Sequence, residues 1–208
     1  MCGLVGILNL DGRPASVSTV RQMAALVAHR GPNDEGTYVE DPVAFGHRRL
    51  SIIDLSSSGH QPMQTSDGRH VIIYNGEIYN FQELRAELQA LGRPFVSHSD
   101  TEVLLQGFVA WGARVVDRLN GMFAFAIWDR SERRLFLARD RYGIKPLYLT
   151  RVGRTLLFAS EIKSFLGYPG FSVGIDEEGL IEYFSFQNFF SNRTLFKNVT
   201  TFPSGHYL

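Results

Sequence analysis

The sequence predicts one large domain that mixes β-strands with helices, and three observations carry that prediction. Short runs rich in Val, Ile, Leu and Phe, at residues 3–10, 71–74, 122–128 and 135–139, end at turn residues such as Asp11-Gly12 and the polar stretch 129–133. Apolar residues recur at helical spacing after Val17, after Phe81 and after Asp100. With 44% hydrophobic and 20% charged residues over 208 positions, the chain has the composition of an ordinary globular protein able to bury a sizeable core.

Taken in order, residues 3–10 form the first strand. A helix comes next, with Val20, Met23, Ala24 and Val27 on one face and Ser16 or Ser18 as its cap. It stops at His29-Arg30-Gly31-Pro32, where Gly and Pro together break helices. Residues 36–39 and 43–54 read as strands. The second carries Arg48-Arg49, whose side chains point to opposite faces, so at most one of them faces any given pocket. The run 71–74 is a buried strand ending in Asn75-Gly76. That pair suggests a hairpin turn. The residues after it, however, are helical in pattern (Phe81, Leu84, Leu88, with Asn80 and Glu83 fitting a capping box). Asn75-Gly76 is therefore predicted to lie between strand and helix, where glycine lets the backbone approach a ligand. Gly92 closes that helix, and Asp100 fits the N-cap of the next, which buries Val103, Leu104, Phe108 and Trp111. Strands 122–128 and 135–139 are apolar at nearly every position, so both of their faces are predicted to be covered. The charged loop 139–146, a further strand, strand 156–159, a short helix from Ser160 and a helix over 176–186 complete the pattern. The aromatics Tyr183, Phe184, Phe186, Phe189, Phe190, Phe196, Phe202 and Tyr207 suit either core or a surface that packs on another domain.

Charge and cysteine content exclude several function classes. The 21 basic and 21 acidic residues balance, which argues against nucleic acid or an anionic membrane as the main partner. No run of 18 apolar residues predicts a transmembrane helix, and the start lacks a signal-like stretch, so the expected setting is cytoplasmic. A single cysteine makes no internal disulfide and no Cys-rich metal site; no metal is expected. Asn192-Arg193-Thr194 and Asn198-Val199-Thr200 match the glycosylation pattern by chance in such a setting.

That one cysteine is Cys2, directly after Met1. If Met1 is removed, its thiol and a free α-amine share one residue, placing a nucleophile beside a base without a histidine. The plain alternative is a small, inert apolar-run cysteine.

Several stretches together resemble the N-terminal-nucleophile (class II) glutamine amidotransferases, and most closely the glutaminase domain of glutamine-hydrolysing asparagine synthetases. They are Met1-Cys2-Gly3, His29-Arg30-Gly31-Pro32, Arg48-Arg49-Leu50-Ser51-Ile52-Ile53-Asp54, Asn75-Gly76-Glu77-Ile78-Tyr79-Asn80 and Ser99-Asp100-Thr101-Glu102. Gly121-Met122-Phe123-Ala124-Phe125, the loop from Arg139 to Leu147 and Ala159-Ser160-Glu161-Ile162-Lys163 extend the match in the family's order. The resemblance implies an α+β fold, a four-layer α-β-β-α sandwich of two stacked antiparallel sheets. It implies that Cys2 attacks the carboxamide carbon of L-glutamine with its own α-amine as base, and that Asn75 and Gly76 form the oxyanion hole. It implies further that Arg49 holds the α-carboxylate, that Asp100 and Glu77 hold the α-ammonium, and that backbone at Ile52 and Ile53 completes the pocket. Arg30 is expected to shape the neighbouring loop.

Two departures stand out. Asn33 occupies a position where the family commonly has Asp, which should affect loop hydrogen bonds. The family's Ser-Gly-Gly-x-Asp-Ser phosphate loop is absent, since the chain contains no Gly-Gly pair. The resemblance therefore divides the chain into a glutaminase domain at 1–190 and a segment at 191–208 leading towards an absent ATP-dependent synthetase domain, on the same or a partner chain. ATP and Mg would belong to that domain, and the glutaminase reaction itself should need no cofactor. Asparagine synthesis, or a related amidation, would take place there. A homodimer is a candidate assembly. The rival expectation is a non-catalytic glutamine-binding or interaction module, favoured if Met1 stays attached.

Overall fold

The computed structural model describes residues 1–208. Ten strands, numbered in chain order, build two antiparallel sheets. The larger contains β1 (Gly3–Asn9), β2 (Asp34–Glu40), β3 (Val43–Arg49), β8 (Tyr148–Val152), β9 (Thr155–Ala159) and β10 (Val199–Thr201), ordered β10-β8-β9-β1-β3-β2. The smaller contains β4 (Met63–Gln64), β5 (His70–Ile78), β6 (Gly121–Asp129) and β7 (Arg134–Arg139), ordered β4-β5-β6-β7. The helices are α1 (Val17–Ala25), α2 (Phe81–Ala90), α3 (Asp100–Trp111), a single turn α4 (Val115–Arg118) and α5 (Glu177–Phe186).

Three apolar layers hold these elements together, and strand alternation explains them. Between the sheets, Leu4, Phe45 and Phe158 of the larger meet Val71, Ile73 and Ala124 of the smaller. The other face of β5 presents Ile72 and Tyr74 to Leu84, Leu88, Val103 and Leu104 of α2 and α3. On the far side, Val5 and Ile7 of β1 pack on Val20, Met23 and Val27. The architecture is thus α-β-β-α, as the resemblance implies. Strands covered on both faces carry apolar residues at successive positions, because odd and even side chains enter different cores. Burying each large side chain contributes roughly 1.5–3 kcal/mol.

Helix starts obey local chemistry, with two corrections. The Ser16 side chain accepts from Thr19 N–H, and Asp176 accepts from Gly179 N–H. The cap of α3 is Ser99, which accepts from Glu102 N–H, while Asp100 is the first helical residue. Asn80 makes no side-chain cap for α2. Its amide spans instead to Arg118 O at 3.0 Å and Asn120 N at 2.9 Å, tying α2 to the start of β6.

Three further differences bear on the site. Strand β3 ends at Arg49, short of the predicted 54, because residues 50–62 turn back around the Arg49 side chain. Asn75 and Gly76 lie inside β5, paired with Ala124 and Phe123, rather than beyond its end. Residues 191–208 join the sandwich: β10 pairs with β8 and Phe202 enters the central core. Of the other aromatics near the C-terminus, Phe184, Phe186, Phe190 and Tyr207 lie exposed. No helix is long and apolar enough to cross a membrane.

Gly6 of β1 pairs directly with Phe158 of the neighbouring strand β9, and a Cβ at this position would overlap the phenyl ring. Gly6→Ala should therefore destabilise the fold by about 1–3 kcal/mol through overpacking, read as a lowered midpoint in urea unfolding; an unchanged midpoint would mean that the Phe158 ring can move aside at no cost.

Candidate active site

Cys2 sits half-buried at the open end of β1, held from two sides. Its carbonyl accepts from Arg30 Nε at 2.8 Å, and Arg30 is braced by Glu161 Oε1 at 2.9 Å. Arg30, placed near Cys2 by its loop, thus grips the backbone there. The Leu50 N–H donates to Cys2 Sγ at 3.4 Å. Burial pushes the thiol pKa up, and the Leu50 hydrogen bond, the N-terminal charge and Arg49 pull against that shift. Burial lowers the Met1 α-amine, Arg30 and Lys145 lower it further, and Cys2 opposes them. Lys145 Nζ lies 3.3 Å from Met1 Sδ at the rim of the same pocket.

Facing Cys2 is the end of β5. Because Val71 and Ile73 point between the sheets, Asn75 and Glu77 do too. Asn75 is buried at 1% exposure, yet its Nδ2 has no hydrogen-bond partner. Buried donors are seldom left unpaired, and each such group costs about 1–3 kcal/mol. The edge of β5 away from β6 is open here, since β4 pairs only as far as Ile72. Tyr74 N–H donates across that edge to Gln61 Oε1 at 2.6 Å, and Ile78 N–H to Asp100 Oδ2 at 3.0 Å. The period of two directs Gly76 N–H to the same edge, into the pocket it lines. A Cβ on Gly76 would run into Met122 O and the Tyr74 ring, so the backbone holds this place only as glycine.

Two buried charges complete the pocket. Arg49 is 7% exposed and gives its guanidinium to the carbonyls of Ser56 (2.9 Å) and Asp54. Its neighbour Arg48 leaves on the opposite face to Glu35, as alternation requires. Asp100 is 6% exposed, and its Oδ2 accepts from two neutral donors, Tyr74 OH at 2.7 Å and Ile78 N–H. Burial raises the Asp100 pKa, and those hydrogen bonds draw it back. A buried charge without an opposite partner is costly, so this pair leaves one positive and one negative position for a ligand to match. Glu77, Ile52 and Ile53 line the same space. Its volume is about 160 Å³, below the roughly 300–1,000 Å³ of drug-sized pockets, which suits a single amino acid.

All eight residues singled out from sequence (Cys2, Arg49, Ile52, Ile53, Asn75, Gly76, Glu77 and Asp100) therefore line one pocket. Gln61, Tyr74 and Lys145 line it too and were missed. Lys145 lay within a matching loop, whereas nothing local marks Gln61. Asn33 accepts from Ser51 N–H at 3.1 Å, a loop contact as its position suggested. No group of three or more His, Cys, Asp or Glu side chains lies together to hold a metal ion.

The profile of the glutamine amidotransferase domain family matches residues 1–208. The chain belongs to that family. This amidotransferase domain is 43% identical over 187 residues to the glutamine-hydrolyzing asparagine synthetase 3 of Bacillus subtilis, covering 88% of this chain and 30% of the relative. It is 39% identical over 225 residues to a putative glutamine-hydrolyzing asparagine synthetase of Mycobacterium tuberculosis, with 99% and 34% covered. Amidase chry2 of Gibberella zeae is 37% identical over 221 residues, with 100% and 32% covered. The domain spans about a third of the length of these relatives. Among solved structures, the glutamine phosphoribosylpyrophosphate amidotransferase from B. subtilis superposes with a TM-score of 0.68 at 23% identity, covering 79% of this chain and 43% of that one, a likeness of fold.

One buried group near the site couples the domain's stability to pH. His47 of β3 is 1% exposed, its Nε2 lies 2.9 Å from Tyr74 O and its Nδ1 has no partner. Donation to that carbonyl requires the Nε2–H tautomer. Burial foremost lowers its pKa from 6.5 to about 4; His60 and Arg49 lower it further, while the Tyr74 bond and Asp34 oppose. Between those values the unfolded chain takes up a proton that the folded chain refuses, so stability falls as pH falls. The loss from this group is on the order of 3 kcal/mol from pH 6.5 to 4. His47→Gln, which keeps a donor, should flatten the pH dependence of the urea midpoint over that window; a slope equal to that of the parent would refute the assignment.

Proposed function

We propose that this domain hydrolyses L-glutamine to glutamate and ammonia through a γ-glutamyl thioester on Cys2. The observation that carries it is that Asn75, whose buried Nδ2 has no partner, lines the same pocket as Cys2. A donor kept dry and unpaired is suited to an oxyanion that exists only during reaction.

With Met1 removed, the Cys2 α-amine takes the thiol proton as sulfur attacks the carboxamide carbon. Burial raises the thiol pKa and so disfavours prior ionisation, which couples proton transfer to attack. The C–S bond forms, and the carbonyl π electrons move to oxygen, which Asn75 Nδ2 and Gly76 N–H stabilise. Collapse of this intermediate breaks the C–N bond, and the ammonium proton passes to the leaving nitrogen to release ammonia. Water then gives a proton to the amine and attacks the thioester; a second collapse frees glutamate and restores the thiol.

Arg49 and Asp100 hold the two ends of the amino acid in this scheme. The two loop carbonyls leave donors of the five-donor guanidinium free for the α-carboxylate. Asp100, with Glu77, takes the α-ammonium, supplying each buried charge with its missing partner. Backbone at Ile52 and Ile53 closes over the substrate. We propose a cytoplasmic setting, which keeps a lone thiol reduced. We further propose that the ammonia serves asparagine synthesis by an ATP- and Mg-dependent synthetase domain, because asparagine synthetases about three times as long as this chain are among its relatives. The domain alone should form glutamate and no asparagine.

Cys2→Ala should abolish glutamate release, and a chain whose intact mass retains Met1 should also be inert; turnover by the first would sink the nucleophile, and turnover by the second the role of the amine. Glutamine that binds to the processed chain without being hydrolysed would favour a binding module instead. Asn75→Ala should lower kcat about 10²–10³-fold with little change in KM, measured by steady-state glutaminase kinetics.

A further inference from the structure

The open edge of β5 poses a problem that the pocket residues do not solve. The β4 strand leaves off at the partner of Ile72, so from Tyr74 onward no neighbouring strand holds that edge. Yet the two proposed oxyanion donors, Asn75 and Gly76, come next, and a misplacement of about 1 Å can cost ~10²-fold in rate.

Side chains take the place of the missing strand at one residue. Tyr74 N–H donates to Gln61 Oε1 at 2.6 Å, and Tyr74 C=O accepts from His47 Nε2 at 2.9 Å. Both bracketing residues are almost wholly buried, Gln61 at 4% and His47 at 1%. Each is anchored in a different part of the site. Gln61 Nε2 donates to Thr101 Oγ1 at 3.2 Å, at the start of α3 beside Asp100. His47 belongs to β3, two residues before Arg49, so its ring joins the two sheets next to the carboxylate clamp. The Tyr74 hydroxyl reaches Asp100 Oδ2 at 2.7 Å. Its ring also lies under Gly76, where a Cβ would strike it.

We propose that Gln61 and His47 are positioning residues that bracket the Tyr74 backbone and thereby set Asn75 and Gly76 at the height of the Cys2 thiol. Neither touches the reacting atoms. Their hydrogen bonds finish the ladder where β4 stops, and they make one rigid body of the oxyanion strand, the start of α3 and the end of β3. His47 does this as a neutral ring, because a charged imidazole would be buried without a carboxylate in contact. The proposal rests on Asn75 and Gly76 being the oxyanion donors.

A thermodynamic cycle on kcat separates the two ideas. Gln61→Met removes the acceptor at similar volume, and His47→Leu removes the donor. Each should lower kcat between tenfold and a hundredfold while KM for glutamine changes less than threefold. His47→Gln, which retains an N–H donor, should recover most of the loss. Combined with Asn75→Ala, Gln61→Met should cost much less than it does alone, because the donor it positions is gone. If Asn75→Ala leaves kcat unchanged, the oxyanion assignment itself fails. If Asn75→Ala is slow but Gln61→Met costs the same factor in both backgrounds, the positioning role is overturned. Where Gln61→Met unfolds at assay temperature, the His47→Leu and His47→Gln pair decides: equal kcat in the two would overturn the bracket.

Discussion

Face-to-face packing of the two sheets is the contact on which every other feature of this domain depends. Leu4, Phe45 and Phe158 close on Val71, Ile73 and Ala124, with Gly6 making room for the Phe158 ring. Apolar burial fixes the depth of that contact, and strand alternation fixes what emerges beside it. Leu4 is two residues from Cys2, and Ile73 is two residues from Asn75. Closing the core therefore brings the thiol and the amide to the same end of the sandwich. The site is an extension of the core in which the next alternating positions are polar.

Electrostatics then selects the occupant. Arg49 and Asp100 are each buried without an ion-pair partner, and both act on the Cys2 thiol, Arg49 favouring the thiolate and Asp100 opposing it. In an ordinary core such charges would cost several kcal/mol each. Here loop carbonyls and neutral donors hold them in place without neutralising them. In the proposed scheme a zwitterionic amino acid meets both requirements at once. The same burial that readies these charges raises the thiol, so the proposed nucleophile stays protonated until a substrate is there to attack.

Much of this arrangement was legible in the chain, for identifiable reasons. Runs apolar at successive positions, such as 122–128, marked strands buried on both faces, and the layers confirm it. Arg48 and Arg49 had to diverge, and they do. Cys2, Arg49, Asn75-Gly76 and Asp100 stood out because an unusual residue type fell at a boundary or within a matching motif. Where local reasoning failed, a distant partner had won. Asn80 looked like a cap but bonds across to Arg118 and Asn120. The Asn75-Gly76 pair read as lying past a strand end, yet β6 pairs through it. Residues 199–201 lacked a period because a three-residue strand is too short to show one.

By itself, then, the sequence determined the fold class, the chemical groups available and the fact that one cysteine comes directly after the first methionine. Those properties depend on residue type and short-range spacing, which the chain carries openly. Only the tertiary structure decided that β4 stops short and that Gln61 and His47 converge on the Tyr74 backbone, 13 and 27 residues away along the chain. Only it showed that the Asn75 amide is dry and unpaired. Such facts belong to surroundings assembled from remote segments, and a residue's surroundings, unlike its type, exist only once the sheets have packed.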